Sequence, residues 1–316
     1  MKVLANDGIA ASGKAALEQA GFEVCTDKVE QDQLIDIINK EKYEVILVRS
    51  ATKIRKDIID NCPSIKMIGR GGIGMDNIDV EYAQSKGIEV FNTPAASSQS
   101  VAELVIGHLF GAVRSLYQSN REMPKEGKTG FNTLKKKYGN GFELRGKTMG
   151  IYGFGRIGQA LASYALGCGM HVTAYDHSGG PFDVEVEVGG QKVTVQVQNH
   201  SIEEMLKTAD VLSLHVPSSD GHLIGEKEFA QLKDGAVLIN AARGGVVDEA
   251  ALLKALNSGK ISHAALDVFE GEPQPNEAIL THEKISLSPH IGAATKEAQD
   301  RIGIELANNI KVFYKK

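Results

Sequence analysis

No stretch of this chain approaches the run of about 18 apolar residues that a membrane-spanning helix requires. Its start, MKVLANDGIAAS, reaches Asn6 and Asp7 too early for a secretory leader, so neither an anchor nor a signal peptide is expected. A basic surplus is missing as well. With 35 Lys and Arg against 40 Asp and Glu the net charge is -5, which argues against nucleic-acid partners and against an anionic membrane surface. Any anion site must therefore be local. Cysteine is scarce: Cys25, Cys62 and Cys168 form no CxxC pair and leave one unpaired in any disulfide scheme. They read as reduced thiols of a cytoplasmic protein, and no metal site is read from them. What is present, 42% hydrophobic and 24% charged residues over 316 positions, is the composition of a globular chain with room for two cores.

Short apolar runs alternate with helical patterns from the N-terminus: MKVLAN, SGKAALEQA, FEVCT, DQLIDIINK, EVILVRS, KDIIDNC, IKMIGR, VEYAQSKG and IEVFN. Parallel strands joined by crossover helices produce that rhythm, so residues 1–97 are expected to form a doubly wound α/β domain. Next, SSQSVAELVIGHLFGAVRSLYQSNREM places Val101, Leu104, Val105, His108, Leu109 and Ala112 at helical spacing, with Ser97, Ser98 and Ser100 as candidate N-caps. A polar, basic loop is expected over 124–146. A second alternating series then runs from Lys147 to about Pro289. Within it, DVEVEVGGQKVTVQVQ has valines at period two on both sides of Gly189-Gly190, which predicts an inserted β-hairpin near 184–197.

KTMGIYGFGRIGQALASYALGCGMHVTAYD combines an apolar strand, Gly153-x-Gly155-x-x-Gly158, a helix and a second strand ending at Asp176. Glycines at this spacing are common alone, but the strand-turn-helix-strand context predicts a Rossmann dinucleotide site. Gly153 permits the turn, Gly155 lets the backbone approach a pyrophosphate, and Gly158 lets helix and strand pack. The amides near Arg156 and Ile157 then face phosphate at a helix N-terminus. A carboxylate at Asp176 suits two ribose hydroxyls and repels a 2'-phosphate, and no Arg or Lys follows in His177-Ser178-Gly179-Gly180, so NAD is favoured over NADP.

Three later segments, VLINAARGGVVDEAAL, HAALDVFEGEP and ISLSPHIGAATKEAQ, each put polar residues just after an apolar strand. Strand C-terminal ends face the ligand crevice in such sheets, so Arg243, Asp267, Glu272 and His290 are expected on one rim. Singly, His290 reads equally as a loop histidine, Glu272 as a surface carboxylate and Arg243 as an ion-pair partner; together they make a candidate site. Oxidising a secondary alcohol needs a base that later serves as acid near neutral pH, and His290 meets that demand. Arg243 is suited to hold a carboxylate and polarise a carbonyl.

With an Arg after its strand, Glu-Pro after Asp-Val-Phe, and Pro-His-x-Gly, the chain resembles the D-isomer-specific 2-hydroxyacid dehydrogenase family over nearly its whole length. VRSATKI, GRGGIGMDNID, NTPAASSQSVAEL, AARGGVVDEAALL and PHIGAATKEAQ are most similar to its 3-phosphoglycerate dehydrogenase branch. The resemblance implies two doubly wound parallel-sheet domains. One is a flavodoxin-like substrate domain formed by 1–97 plus 291–316, and the other is a Rossmann NAD-binding domain over 98–290. It implies that Arg243, Glu272 and His290 are catalytic, with Glu272 orienting the imidazole. It also implies that Ile73, His215, Val216, Pro217, Ala241, Ala242, Arg243, Asp267, His290, Gly292 and Ala293 line the cofactor. Asp267 meets the nicotinamide in this reading, or as a buried acid ties loops together.

The implied reaction is NAD-dependent oxidation of 3-phospho-D-glycerate, the first step of serine biosynthesis. Arg49 and Arg70, each after an apolar strand, are the expected phosphate ligands. Ser50 and the Gly71 and Gly72 amides are expected to bind the substrate carboxylate. Lys135, Lys136 and Lys137 form either a solvated face or added charge for the substrate. The chain ends at Lys316, and the regulatory module that follows in longer members of the branch is not expected. A homodimer through the helix after Ser97 is expected. Alternatives are a glyoxylate/hydroxypyruvate reductase, a D-lactate dehydrogenase, or an NAD-sensing corepressor in which the fold is a binding module. A formate dehydrogenase is disfavoured, because that branch pairs its histidine with Gln.

Overall fold

A computed structural model describes residues 1–316. In chain order the elements are β1 (Lys2–Ala5), α1 (Ala11–Gln19), β2 (Glu23–Cys25), α2 (Leu34–Glu41), β3 (Val45–Val48), α3 (Lys56–Asn61), β4 (Met67–Arg70), α4 (Val80–Ser85), β5 (Glu89–Asn92), α5 (Ser98–Val113) and α6 (Leu116–Lys137). There follow β6 (Thr148–Tyr152), α7 (Arg156–Gly167), β7 (His171–Tyr175), β8 (Phe182–Val188), β9 (Gln191–Val197), α8 (Ile202–Thr208), β10 (Val211–Leu214), α9 (Glu226–Gln231), β11 (Ala236–Asn240), α10 (Glu249–Ser258), β12 (Ile261–Leu266), α11 (Glu277–Leu280), β13 (Ile285–Leu287) and α12 (Lys296–Phe313). They divide into two compact units, Met1–Ser100 with Ala293–Lys316, and Val101–Gly292.

The first unit is built on a parallel sheet ordered β2-β1-β3-β4-β5, the flavodoxin-like order. Its central strand β3 is Val-Ile-Leu-Val with every residue buried, as a parallel strand covered on both faces requires. Why the C-terminal segment joins this unit is a matter of packing. α12 buries Ile302, Leu306 and Ile310 among Val3, Leu17, Val45 and Leu47, and each such side chain contributes about 2 kcal/mol relative to exposure. Arg301 Nε also donates to the Ala96 carbonyl at 2.9 Å.

The second unit carries a parallel sheet ordered β13-β12-β11-β10-β6-β7. Beyond β7, Ala174 forms a parallel bridge with Asn199. With that bridge counted as a reduced third strand, the arrangement is the Rossmann one, and its order reverses between β6 and β10. The crevice at that reversal is where the glycine-rich turn sits.

β8 and β9 form the expected antiparallel hairpin, pairing Val184 with Val195 and Val186 with Val193. Only its base is packed. Val184, Val186 and Val197 join the core that holds Phe154 and Leu161, whereas Val188 and Val193 near the Gly189-Gly190 tip are exposed.

The region from Ser97 to 146 departs from expectation. Instead of one helix and then a loop, α5 stops at Val113, Ser115 takes a left-handed φ of 49°, and α6 continues to Lys137. α6 contains Pro124 and loses helical geometry at Gly130. Lys137 Nζ pairs with Glu122 at 2.6 Å across 15 positions, which a straight helix would hold about 22 Å apart. The segment therefore folds back at Gly130. Lys135, Lys136 and Lys137 lie in its last turn, where their charge complements the helix dipole. The three cysteines are free thiols, and no helix is long and apolar enough to cross a membrane.

Candidate active site

The turn after β6 has the geometry that its glycines imply. Gly153 has φ 91°, and a Cβ there would strike the His215 carbonyl after β10. A Cβ on Gly158 would strike the Gly153 carbonyl, so α7 lies against the turn as expected. At Gly155 a Cβ would meet no atom within 4 Å, and this residue caps α7 without a side-chain hydrogen bond. An open cradle over the first turn at Arg156 and Ile157, at the positive end of a 12-residue helix, fits a diphosphate.

Asp176 ends β7 beside this cradle. Its Oδ2 accepts from the Phe154 amide at 2.7 Å, and its Oδ1 accepts from the Ser178 amide and hydroxyl at 2.9 and 2.7 Å. Burial pushes its carboxyl up, but those three donors and nearby His177 outweigh it and hold the group below the usual carboxylate range. The backbone of Asp176 is clamped in turn. Its amide donates to Asn199 Oδ1 at 2.8 Å and its carbonyl accepts from Asn199 Nδ2 at 2.9 Å. Phe182 of the hairpin stacks 4.7 Å from Phe154, so the inserted β8–β9 element buttresses the cofactor turn. His215 is brought to the crevice by its backbone only. Its ring is paired with Ser213 at 2.9 Å, and burial pushes it down to about 3, so it stays neutral.

Arg243, Glu272 and His290 come together in the second unit. Glu272 Oε1 accepts from the Phe269 amide at 2.9 Å, and Oε2 lies 2.9 Å from His290 Nδ1. Burial raises the Glu272 carboxyl, but the His290 and Phe269 hydrogen bonds and the His290 and Arg243 charges bring it below the usual range. The carboxylate thus persists through the neutral range, and the stability it adds is lost only as pH falls through its lowered folded value. Arg243 follows β11, where Asn240 closes the turn. Its Oδ1 accepts from the Ala242 amide and its Nδ2 donates to the Arg243 carbonyl, both at 3.0 Å. A Cβ on Gly244 would strike the Phe269 carbonyl, so only glycine lets the Arg243 turn approach the Glu272 loop so closely. The side chains form a cation, a carboxylate and an accessible imidazole in one cluster, which is acid-base equipment beside an anion holder.

Residues 106–292 match the family described as D-isomer specific 2-hydroxyacid dehydrogenase, NAD binding domain. The chain belongs to the D-isomer-specific 2-hydroxyacid dehydrogenases. Membership makes it an NAD-dependent oxidoreductase and leaves the particular acid open. It is 43% identical to a hydroxypyruvate reductase of Thermotoga maritima over 92% of this chain and 90% of that one. It is 40% identical to a D-3-phosphoglycerate dehydrogenase of Methanocaldococcus jannaschii over 98% of this chain, but spans only 57% of that enzyme's length. Among solved structures, a glyoxylate reductase from Paecilomyes thermophila aligns with TM-score 0.84 and 29% identity over 100% of this chain and 95% of its own.

Other expected positions in this dehydrogenase are held by hydrogen bonds within their own units. Asp267 is 2% exposed, and its carboxylate accepts from Ser288 Oγ at 2.6 Å and from the Ile291 and Gly292 amides at 2.9 and 2.8 Å. That geometry ties the ends of the loops after β12 and β13 together. In the first unit, the Gly71 amide donates to the Val48 carbonyl at 2.9 Å and the Gly72 amide to Thr93 Oγ1 at 2.8 Å. Those two amides are therefore engaged within the unit, where they hold the turn after β4 in shape, instead of being left open as carboxylate donors. Ile73 and Ala293 also lie in the first unit.

Arg49 follows β3 and Arg70 ends the adjacent β4, with Val48 in register with Arg70. Arg70 packs its guanidinium over Gly72. Sequence reasoning missed what orients the Arg49-Ser50 turn. Asp7 accepts from the Arg49 amide at 2.7 Å, the Thr52 amide at 3.0 Å and the Thr52 hydroxyl at 2.7 Å, with Lys28 Nζ also at 2.7 Å. Asn77 Nδ2 donates to the Arg49 and Thr52 carbonyls at 2.8 and 2.6 Å. The available signal was Asp7, two residues beyond the end of β1, a strand end like those that carry the arginines.

Proposed function

We propose that the protein oxidises 3-phospho-D-glycerate to 3-phosphohydroxypyruvate, with His290 as acid-base, Glu272 as its orienting carboxylate, and Arg243 as holder of the substrate carboxylate. The observation that carries the substrate is the adjacency of Arg49 and Arg70 at neighbouring strand ends, a doubled cation suited to a phosphate dianion. NAD, when bound, accepts the hydride from the substrate carbon. The Gly155 cradle, the first turn of α7 and Asp176 would hold it. His290 takes the hydroxyl proton on the nitrogen that Glu272 does not engage, and Glu272 stabilises the imidazolium so formed. Arg243 stabilises the negative charge that gathers on the oxygen.

A second reading, hydroxypyruvate reductase, is supported by the 43% identity to the Thermotoga protein over nearly its full length. At the same oxidation level the two substrate pairs differ by one phosphate, so a panel on wild type and Arg70→Ala separates them. Under the phosphoglycerate reading, kcat/KM for the phosphorylated pair exceeds that for hydroxypyruvate, and Arg70→Ala lowers it about 100-fold while sparing hydroxypyruvate, as loss of a charge-assisted bond of about 3 kcal/mol dictates. Efficient turnover of hydroxypyruvate or glyoxylate by wild type, with none of the phosphorylated pair in either direction, would replace the first reading by the second.

We further propose a homodimer through α5 and α6. Phe110, Leu116, Met123 and Phe131 are exposed there, beside a cavity of about 700 Å³ lined by Leu104, Gly107 and Tyr117. Apolar exposure of that kind marks an association surface. Light scattering is expected to give twice the chain mass for wild type and a monomer for Leu116→Glu; a wild-type monomer at micromolar concentration would exclude the dimer.

A further inference from the structure

His108, on α5, has no part in the acid-base cluster, yet it is buried in one hydrogen-bonded chain with it. Its Nδ1 lies 2.8 Å from Ser286 Oγ and its Nε2 lies 2.9 Å from Ser288 Oγ. Ser288 Oγ is 2.6 Å from Asp267 Oδ1. The direction of this chain follows from donor counting. Asp267 oxygens already receive the Ile291 and Gly292 amides and act as acceptors, so the single Ser288 hydroxyl proton points at Asp267. Ser288 Oγ must then accept from His108, which puts a proton on Nε2. Burial holds the His108 ring below the usual histidine range against the pull of Asp267, so the ring is neutral and Nδ1 is bare. Nδ1 accepts from the Ser286 hydroxyl, and every polar group in the row is satisfied.

At the far end of this row stands the His290 backbone. His290 has φ 53°, a left-handed conformation that a non-glycine residue keeps only where its surroundings hold it. Asp267 holds both flanks, through Ser288 on one side and the Ile291 and Gly292 amides on the other. The His290 amide donates to the Ser288 carbonyl at 3.1 Å.

We infer that His108 is a positioning residue for the acid-base histidine: a neutral imidazole, protonated on Nε2, that aims the Ser288 hydroxyl at Asp267 and thereby fixes the His290 turn. This deepens the reading of His290 as acid-base and rests on it. Without the Nε2 donor, Ser288 Oγ loses its partner on the α5 side, and the Asp267 bond alone is left to hold its rotamer beside the cavity that His108, Ser286 and Ser288 line. Asp267 then loses a directed donor and the His290 turn relaxes. Misplacement of a reacting group lowers turnover without touching the phosphate cradle at α7.

The test combines NADH binding by fluorescence, steady-state turnover of whichever D-2-hydroxy acid wild type accepts, and nitrogen-15 spectra of the histidine rings. Expected are a neutral Nε2-protonated ring signal that His108→Leu erases, and a kcat for His108→Leu about 10- to 100-fold below wild type. NADH affinity and the KM of the acid change far less than kcat, since the diphosphate cradle at α7 and Asp176 lies outside the relaxed turn. His108→Gln recovers most of the lost kcat, because its amide donates to Ser288 and accepts from Ser286. An Nδ1-protonated or charged His108, a His108→Leu enzyme with wild-type kcat, or a Gln variant no better than Leu would overturn the inference. A wild type that turns over no D-2-hydroxy acid overturns the acid-base reading instead, and the ring spectra still decide the tautomer.

Discussion

His290→Ala is expected to lower kcat by about 1000-fold while leaving NADH binding unchanged, since positioned acid-base groups contribute about 100- to 10000-fold. The size of the effect follows from the cluster. Glu272 holds Nδ1 at 2.9 Å and is itself held by the Phe269 amide, so the imidazole is fixed in orientation, with the other nitrogen left for the substrate hydroxyl. Neither of the two buried imidazoles His108 and His215 substitutes for it. His108 is buried between two serines, and the His215 ring is turned onto Ser213. Glu272→Gln retains a hydrogen bond but not the charge that stabilises the imidazolium, so its loss should be smaller than that of His290→Ala and larger than tenfold by the usual yield of a charge-assisted bond, about 2 kcal/mol. Initial rates at saturating cofactor, with NADH titrations alongside, decide the matter. Full activity in His290→Ala would remove the histidine from the mechanism.

Arg243→Ala is the second large effect, a fall in kcat/KM of about 100- to 1000-fold, the typical cost of removing one donor that stabilises developing negative charge. Its turn is preformed by Asn240 and by the close approach at Gly244, so alanine removes the guanidinium without removing the scaffold. Arg243→Lys should restore little, because a single ammonium cannot replace a planar fork on a carboxylate. Unchanged melting temperature and NADH affinity would assign the loss to the reaction. A variant that kept wild-type kcat/KM would return Arg243 to an ordinary ion-pair role.

Much of the α/β architecture was legible because strands such as VILV and AVLIN are too apolar to be anything but buried, and because Gly153, Gly155 and Gly158 follow one of them. The hairpin was legible from valines at period two around Gly189-Gly190, but its half-packed state was not. Only the base reaches Phe154 and Leu161, and nothing local distinguishes Val186 from Val188. Residues 124–137, the second part of α6, read as a polar, basic loop, and they contain Pro124, Gly127 and Gly130. In the folded chain the break is real but confined to Gly130, and the Glu122–Lys137 pair closes the two arms.

What the sequence by itself determined was the class of each unit, the cofactor turn and the residue types that gather at Arg243, Glu272 and His290, since periodicity and spacing are local properties carried by neighbours along the chain. The tertiary structure alone decided which donors those residues meet: Asp267 tied to the His290 turn, the Gly71 and Gly72 amides engaged within their own unit, and His108 joined across 180 positions to Ser288. Hydrogen bonds are directional and short-ranged, so partners far apart in the chain become readable only once packing has set their distances.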